Sequence, residues 1–133
     1  ETVAGFEKQI GVNHFGHFYL TQLLQGKMAE TCTEAGSGRV VVLTSSAHAM
    51  GLVKPEDLHY TQGRSYAGWE AYGQSKLANL LFAKGLADRL QKDEATKTMT
   101  AVAVHPGVIK TNLWQASLFN RMLSHVATSK SIP

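Results

Sequence analysis

Apolar residues recur at i, i+4 and i+8 in Phe15, Tyr19 and Leu23, and at i, i+4 in Leu20 and Leu24, with Phe6 and Ile10 extending the series upstream. This spacing predicts a long helix over residues 6–34. Its apolar arc is wide, so both sides are expected to pack. Gly11, Gly16 and Gly26 work against it, each by about 1 kcal/mol relative to Ala. Residues 34–38, with Gly36 and Gly38, read as a turn. Residues 39–45 follow as a strand. Val40, Val41, Val42 and Leu43 run without alternation, the pattern of a strand buried on both faces of a parallel sheet.

Residues 46–66 form a connection punctuated by Gly51, Pro55 and Gly63. Loops near 20 residues are rare in compact domains unless they have a task. A second helix is predicted over residues 68–90, from Leu77 with Leu81 and from Phe82, Leu86 and Leu90, with Asp88 and Lys92 as a favourable i, i+4 pair. A polar turn over 92–98 leads into a second strand over 99–105, ended by Pro106 and Gly107. From Thr111 onward Leu113, Leu118, Met122 and Val126 give a weaker helical pattern.

Helices alternating with buried strands predict an α/β fold with a parallel sheet. The unit 39–105 reads as a βαβ crossover, expected to be right-handed. Ligands in such sheets lie beyond the carboxyl ends of the strands. Thr44-Ser45-Ser46 and His105-Pro106-Gly107 occupy that position.

Composition narrows the classes without choosing among them. The 133 residues are 44% hydrophobic and 17% charged, which excludes disorder and fibrous repeats as the overall class. The longest aliphatic run has four residues, so no transmembrane segment is expected in this portion. The first residues lack the basic and apolar regions of a signal peptide. The net charge of +3 is scattered, and the one cluster near Lys92 and Lys97 is interrupted by Asp93 and Glu94. A nucleic-acid partner is therefore not expected. Cys32 stands alone, so no internal disulfide forms, which is compatible with an intracellular, reducing compartment of unspecified kind.

Chemistry enters at Tyr72-Gly73-Gln74-Ser75-Lys76. Residues four apart share a helical face. A phenol is a poor proton exchanger at neutral pH, and a neighbouring ammonium favours its phenolate, which suits acid/base work. The plainer reading is a packed Tyr72 beside a Lys76 whose stem lies along apolar surface. Ser45 and Ser46 end the first strand facing the ligand crevice, or else satisfy free backbone groups. The stretch 105–111 is a close backbone approach to a ligand, or an ordinary turn. Asn13, in an otherwise apolar helix, is bonded locally or held for a polar task.

These motifs together resemble the short-chain dehydrogenase/reductase family. The residues that carry the resemblance are Gly11-Val12-Asn13-His14-Phe15-Gly16-His17-Phe18, Arg39 through Ser46, Tyr72 through Lys76, and His105-Pro106-Gly107-Val108-Ile109-Lys110-Thr111. Asn13-His14, Gly16-His17-Phe18, Ser45-Ser46 with His48, and Ser75-Lys76-Leu77-Ala78-Asn79 look closest to the retinol dehydrogenase-like branch, which includes the WW-domain-containing oxidoreductase. The resemblance covers the chain from about Gly5 onward. It implies a Rossmann-like, doubly wound parallel sheet, and an oxidoreductase interconverting an alcohol and a carbonyl with NAD or NADP. Tyr72 would be the acid/base, and Ser46 rather than Ser45 would bind the reacting oxygen. Lys76 would act on Tyr72 and bind ribose hydroxyls, and Tyr72 would also contact the cofactor. Asn13 would hold a relay water. Pro106, Gly107, Ile109 and Thr111 would contact the nicotinamide end of the cofactor. The substrate would be a small hydrophobic alcohol or carbonyl compound, its pocket shaped by residues 47–66 and the tail from Leu113. The two long helices would form a homodimer interface.

The family's opening strand and its Thr-Gly-x-x-x-Gly-x-Gly turn, which cradles pyrophosphate at a helix N-terminus, have no counterpart here. Gly36-Ser37-Gly38 precedes a strand instead of opening a helix. Residues 1–133, beginning at Glu1 without Met, are therefore expected to be the catalytic portion of a longer enzyme, without its N-terminal cofactor half and final strand. Alone they should neither bind cofactor tightly nor turn over substrate, and should be marginally stable with an unpaired strand edge. The alternative is a catalytically silent relative that uses the fold for protein contact. His14 and His17 at i, i+3 lack a third metal ligand. Gly73-Gln74-Ser75-Lys76-Leu77 fails as a hydrolase elbow, because Leu77 stands where the second Gly is required.

Overall fold

The computed structural model describes residues 1–107. Its helical and strand elements are α1 (Lys8–Ile10), a five-residue π-turn (Gly11–Phe15), α2 (Gly16–Ala35), β1 (Gly38–Leu43), α3 (Gly68–Leu90) and β2 (Met99–Val104), with two 3-10 turns, Ser46–Met50 and Pro55–Asp57, between β1 and α3. β1 and β2 pair in parallel, from Gly38 opposite Met99 to Leu43 opposite Val104. The chain is thus α/β, with helices flanking two parallel strands. Among the described residues each strand has one partner, so the outer edge of each is unpaired.

The predicted first helix is present but not continuous. Glu7 caps α1, its carboxylate accepting the N–H groups of Gln9 and Ile10 at 2.9 Å. The ladder then widens by one residue, with the Gly16 N–H donating to the Gly11 carbonyl. Such π-turns are short and concentrate at functional sites. α2 ends at Gly36, whose φ of 77° is the left-handed conformation glycine adopts most easily.

Packing corrects three expectations. The aliphatic run of β1 is not buried on both faces: α2 and α3 cover Val40 and Val42, while Val41 and Leu43 are more than half exposed. α2 is likewise not packed on both sides. Its Met28, Ala29 and Cys32 join Leu86, Leu90 and Met99 in the core, whereas Tyr19, Leu20, Leu23 and Leu24 are exposed. An apolar stripe shows that a helix has an apolar face, and only the tertiary docking decides whether anything lies against it. Third, β1 stops at Leu43 and β2 at Val104, so Thr44, Ser45 and His105 lie beyond the strands instead of within them. α3 spans the predicted 68–90. The Asp88–Lys92 pair does not form, because the helix ends at Leu90; the ion pairs among the described residues are Lys27–Glu30 and Lys97–Glu94.

Candidate functional site

The site lies where the carboxyl end of β1, the π-turn and the first half of α3 meet. Lys76 is 92% buried, and its ammonium lies 5.5 Å from the Tyr72 ring centroid. Among the described residues its one hydrogen bond is a long 3.4 Å contact to the Leu43 carbonyl. An ammonium has three donors, so two find no acceptor among the described residues. Burial pushes the Lys76 amine below its ordinary value. The Tyr72 ring stacks at 32° on Trp69, with centroids 5.5 Å apart. The Tyr72 hydroxyl takes part in none of the hydrogen bonds among the described residues.

The two serines divide. Ser45 caps the 3-10 turn: its hydroxyl accepts the Ala47 N–H at 3.3 Å, and its carbonyl accepts the N–H and the ring Nδ1 of His48 at 3.0 and 2.6 Å. Ser46 is the exposed first residue of that turn and has no side-chain hydrogen bond among the described residues. Two glycines dock the turn on α3. A Cβ on Gly51 would lie 2.3 Å from the Gly73 carbonyl oxygen, and a Cβ on Gly73 would lie 2.9 Å from the Ala47 carbonyl oxygen. Neither close approach is legible in local sequence, because they join positions 22 and 26 residues apart.

Asn13 sits inside the π-turn, and α3 holds it at two points. Its amide nitrogen donates to Ser75 Oγ at 3.0 Å and to Gln9 Oε1 at 3.3 Å, and Ser75 Oγ in turn donates to the Tyr72 carbonyl at 2.7 Å. The Asn13 carbonyl accepts Asn79 Nδ2 at 3.0 Å and His17 Nδ1 at 3.1 Å. Both amide hydrogens and both carbonyl lone pairs are used, which leaves Asn13 Oδ1 as its open acceptor. Thr44 closes the seam, its hydroxyl donating to the Lys76 carbonyl at 2.8 Å and its N–H to the Val104 carbonyl at 2.9 Å.

The structure thus brings Asn13, Tyr72 and Lys76 to one seam and sets the turn of Ser46 against the same helix. Pro106 and Gly107 are exposed beyond β2, and Gly107 has a φ of 81°. Ile109 and Thr111 lie outside the described residues, as does the tail from Leu113. Ser75, Asn79 and Thr44 are buried supports of the site that carried no assigned role in the sequence reading. The signal for two of them was present: Ser75 and Asn79 are polar residues at i, i+4 among the apolar residues of α3.

The loop 57–66 is tied to this helix. Burial alone would raise the Asp57 carboxyl, but the backbone N–H groups of Gln62, Thr61 and Arg64, with the Arg64 guanidinium, outweigh it and hold the group below its ordinary 3.8. Arg64 also donates to Gln74 Oε1 at 2.8 Å and lies 4.0 Å over the Tyr60 ring. A carboxyl lowered on folding stabilises above its unfolded value and loses that contribution as pH falls through its folded value. The loop is therefore expected to hold at neutral pH and to become sensitive to an acid-active protease below 3.8, with Asp57→Asn sensitive already at neutral pH. An unchanged cleavage pattern in the variant would refute that anchor.

No family model matches the chain. Curated proteins match along most of it. Retinol dehydrogenase 12 of Mus musculus is 47% identical over 118 residues, 88% of this chain and 34% of that protein. Along most of its length the chain is similar to members of the short-chain dehydrogenase family. Its relatives in the retinol dehydrogenase-like branch include human retinol dehydrogenase 13, 45% identical over 84% of this chain and 31% of that protein. The chloroplastic short-chain dehydrogenase TIC 32 A of Brassica napus is 43% identical over 85% of this chain and 35% of that protein. A crystal structure of an uncharacterised protein from Mycobacterium paratuberculosis superposes with a TM-score of 0.69 at 43% identity, covering 99% of this chain and 45% of that one. The chain spans about a third of the length of the curated relatives it matches. Among its described residues no helix is long and apolar enough to cross a membrane.

Proposed function

We propose that the full-length protein is an NAD(P)-dependent oxidoreductase interconverting a hydrophobic alcohol and its carbonyl compound, and that this chain is its catalytic portion. The observation that carries the reading is the buried ammonium of Lys76 beside the Tyr72 ring, with two donors unspent among the described residues. The names of the retinol dehydrogenase relatives support the substrate class. The residues present fit the nicotinamide-ribose end of a dinucleotide. Lys76 offers ribose hydroxyls its free donors, and Gly107, with positive φ and no side chain, lets the cofactor approach the backbone. Pro106, Ile109 and Thr111 would complete that contact, as the family resemblance implies. No pyrophosphate cradle lies among the described residues, so that part of the cofactor would be held elsewhere in the full-length protein.

When bound, the nicotinamide supplies or accepts the hydride. In reduction Tyr72 donates the proton that the carbonyl oxygen needs as its carbon gains hydride; in oxidation it takes the proton from the alcohol. Ser46 donates to the same oxygen and fixes its position, while Ser45 Oγ accepts the Ala47 N–H and holds the turn. Asn13 holds a water through Oδ1, and that water passes the proton on toward Lys76. The exposed apolar faces of α2 and α3 are the proposed homodimer surface.

Titration of the full-length protein with NADPH and NADH, followed by tryptophan quenching, is expected to saturate with at least one nucleotide. Residues 1–133 alone should saturate with neither. Failure of the full-length protein to bind either nucleotide would overturn the proposal in favour of a catalytically silent protein-contact domain.

A further inference from the structure

We propose that Asn79 is a positioning residue for the Tyr72–Lys76 pair, holding the carbonyls of Asn13 and Leu43 on one amide nitrogen and so setting where the Lys76 ammonium rests. The inference rests on the acid/base reading given above.

Asn79 follows Lys76 by three residues, so the two are neighbours on one face of α3. It is almost fully buried, and every polar atom of its side chain is used. Nδ2 donates to the Asn13 carbonyl and to the Leu43 carbonyl, each at 3.0 Å. Carbonyl oxygens only accept, so these two partners fix which end of the amide is nitrogen. Oδ1 must then face His14 Nδ1, 3.1 Å away, which carries the proton of that bond. Burial holds the His14 ring below its ordinary value, against the raising effect of the Asn79 bond and with the lowering effect of His17, in keeping with a neutral ring.

The Leu43 carbonyl is the decisive partner, because it is also the one hydrogen-bond acceptor of Lys76 among the described residues. Asn79 meets it at 3.0 Å and Lys76 only at 3.4 Å. Asn79 therefore supplies the strong bond, and the ammonium stays loosely held beside the Tyr72 ring. Without a donor at position 79, the part-buried Leu43 carbonyl has Lys76 as its remaining partner. The ammonium is then drawn toward β1 and away from Tyr72. At the same time the π-turn loses the bond that ties the Asn13 carbonyl to α3.

The test is the pH profile of kcat for alcohol oxidation by the full-length protein, whose rising limb reports loss of the proton from the group that takes the alcohol's proton. Asn79→Asp keeps an acceptor for His14 but offers neither carbonyl a donor. It is expected to lower kcat about 10- to 100-fold and to move the rising limb about one pH unit toward alkali. His14→Phe should leave that limb in place. A limb unmoved in Asn79→Asp, whatever happens to its melting temperature, overturns the proposal, and so does a His14→Phe variant that reproduces the shift. If Asn79→Asp does not accumulate as folded protein, Asn79→Ser is measured instead. Its hydroxyl can serve one carbonyl, so a smaller alkaline shift supports the proposal and none overturns it. Tyr72→Phe run in parallel separates the two levels. An inactive Tyr72→Phe with an unmoved Asn79→Asp limb defeats this inference alone. An active Tyr72→Phe defeats the acid/base reading, and this inference with it.

Discussion

Turnover by the full-length protein is expected to fall about 100- to 10,000-fold when Tyr72 becomes Phe, the range that a positioned proton donor contributes. The substitution is unusually clean. The ring stays on Trp69 and beside Lys76, because both contacts are made by the aromatic face. The bond from Ser75 is to the Tyr72 backbone carbonyl and survives. The hydroxyl bonds to no group among the described residues, so its removal orphans no partner. Stability should therefore change by no more than about 0.5 kcal/mol. Nicotinamide binding should persist, and the loss should fall on kcat. Turnover that survives Tyr72→Phe would move the proton transfer to another group. A loss of cofactor binding in step with activity would mean the phenol serves binding, and not proton transfer.

Gly51→Ala is expected to cost about 1–3 kcal/mol of stability, in the range of overpacked cores, and to lower kcat about 10- to 100-fold by displacing the turn that carries Ser46. Gly51 has φ −79° and ψ 146°, ordinary extended backbone, so alanine meets no conformational penalty there. The penalty is steric. Its Cβ would lie 2.3 Å from the Gly73 carbonyl oxygen, 2.5 Å from the carbonyl carbon and 3.0 Å from the Gln74 nitrogen. These are backbone atoms of α3 and cannot rotate aside. Relief requires the turn to lift off the helix directly beside Tyr72. Gly26→Ala is the control: it lies in α2 with nothing within 4 Å of an added Cβ, and should gain up to about 1 kcal/mol. A Gly51→Ala protein that melts and turns over like the wild type would show that this contact does not dock the turn.

Both expectations concern the same seam, and it was unevenly legible. Tyr72 and Lys76 were readable because a helix places residues four apart on one face, whatever surrounds it. The division between Ser45 and Ser46 was not derivable from the residues themselves, since adjacent hydroxyls are equivalent until one of them caps a turn. Asn79 was visible only as a polar residue in an apolar helix. Its importance depends on two carbonyls, 66 and 36 residues away, that the fold delivers to it.

The sequence by itself determined the elements and their order, because helix and strand follow from local periodicity. It also determined the α/β class and the placement of Tyr72 and Lys76 on one helical face. The tertiary structure decided which faces those elements cover. It leaves Val41, Leu43 and the outer stripe of α2 exposed, although their apolar runs look the same as buried ones. It also decided the π-turn at Asn13, the Gly51–Gly73 contact and the role of Asn79. The reason is one of range. Periodicity is set by neighbours within a turn of chain, whereas a close approach or a shared carbonyl is set by residues that meet only after the helices have docked.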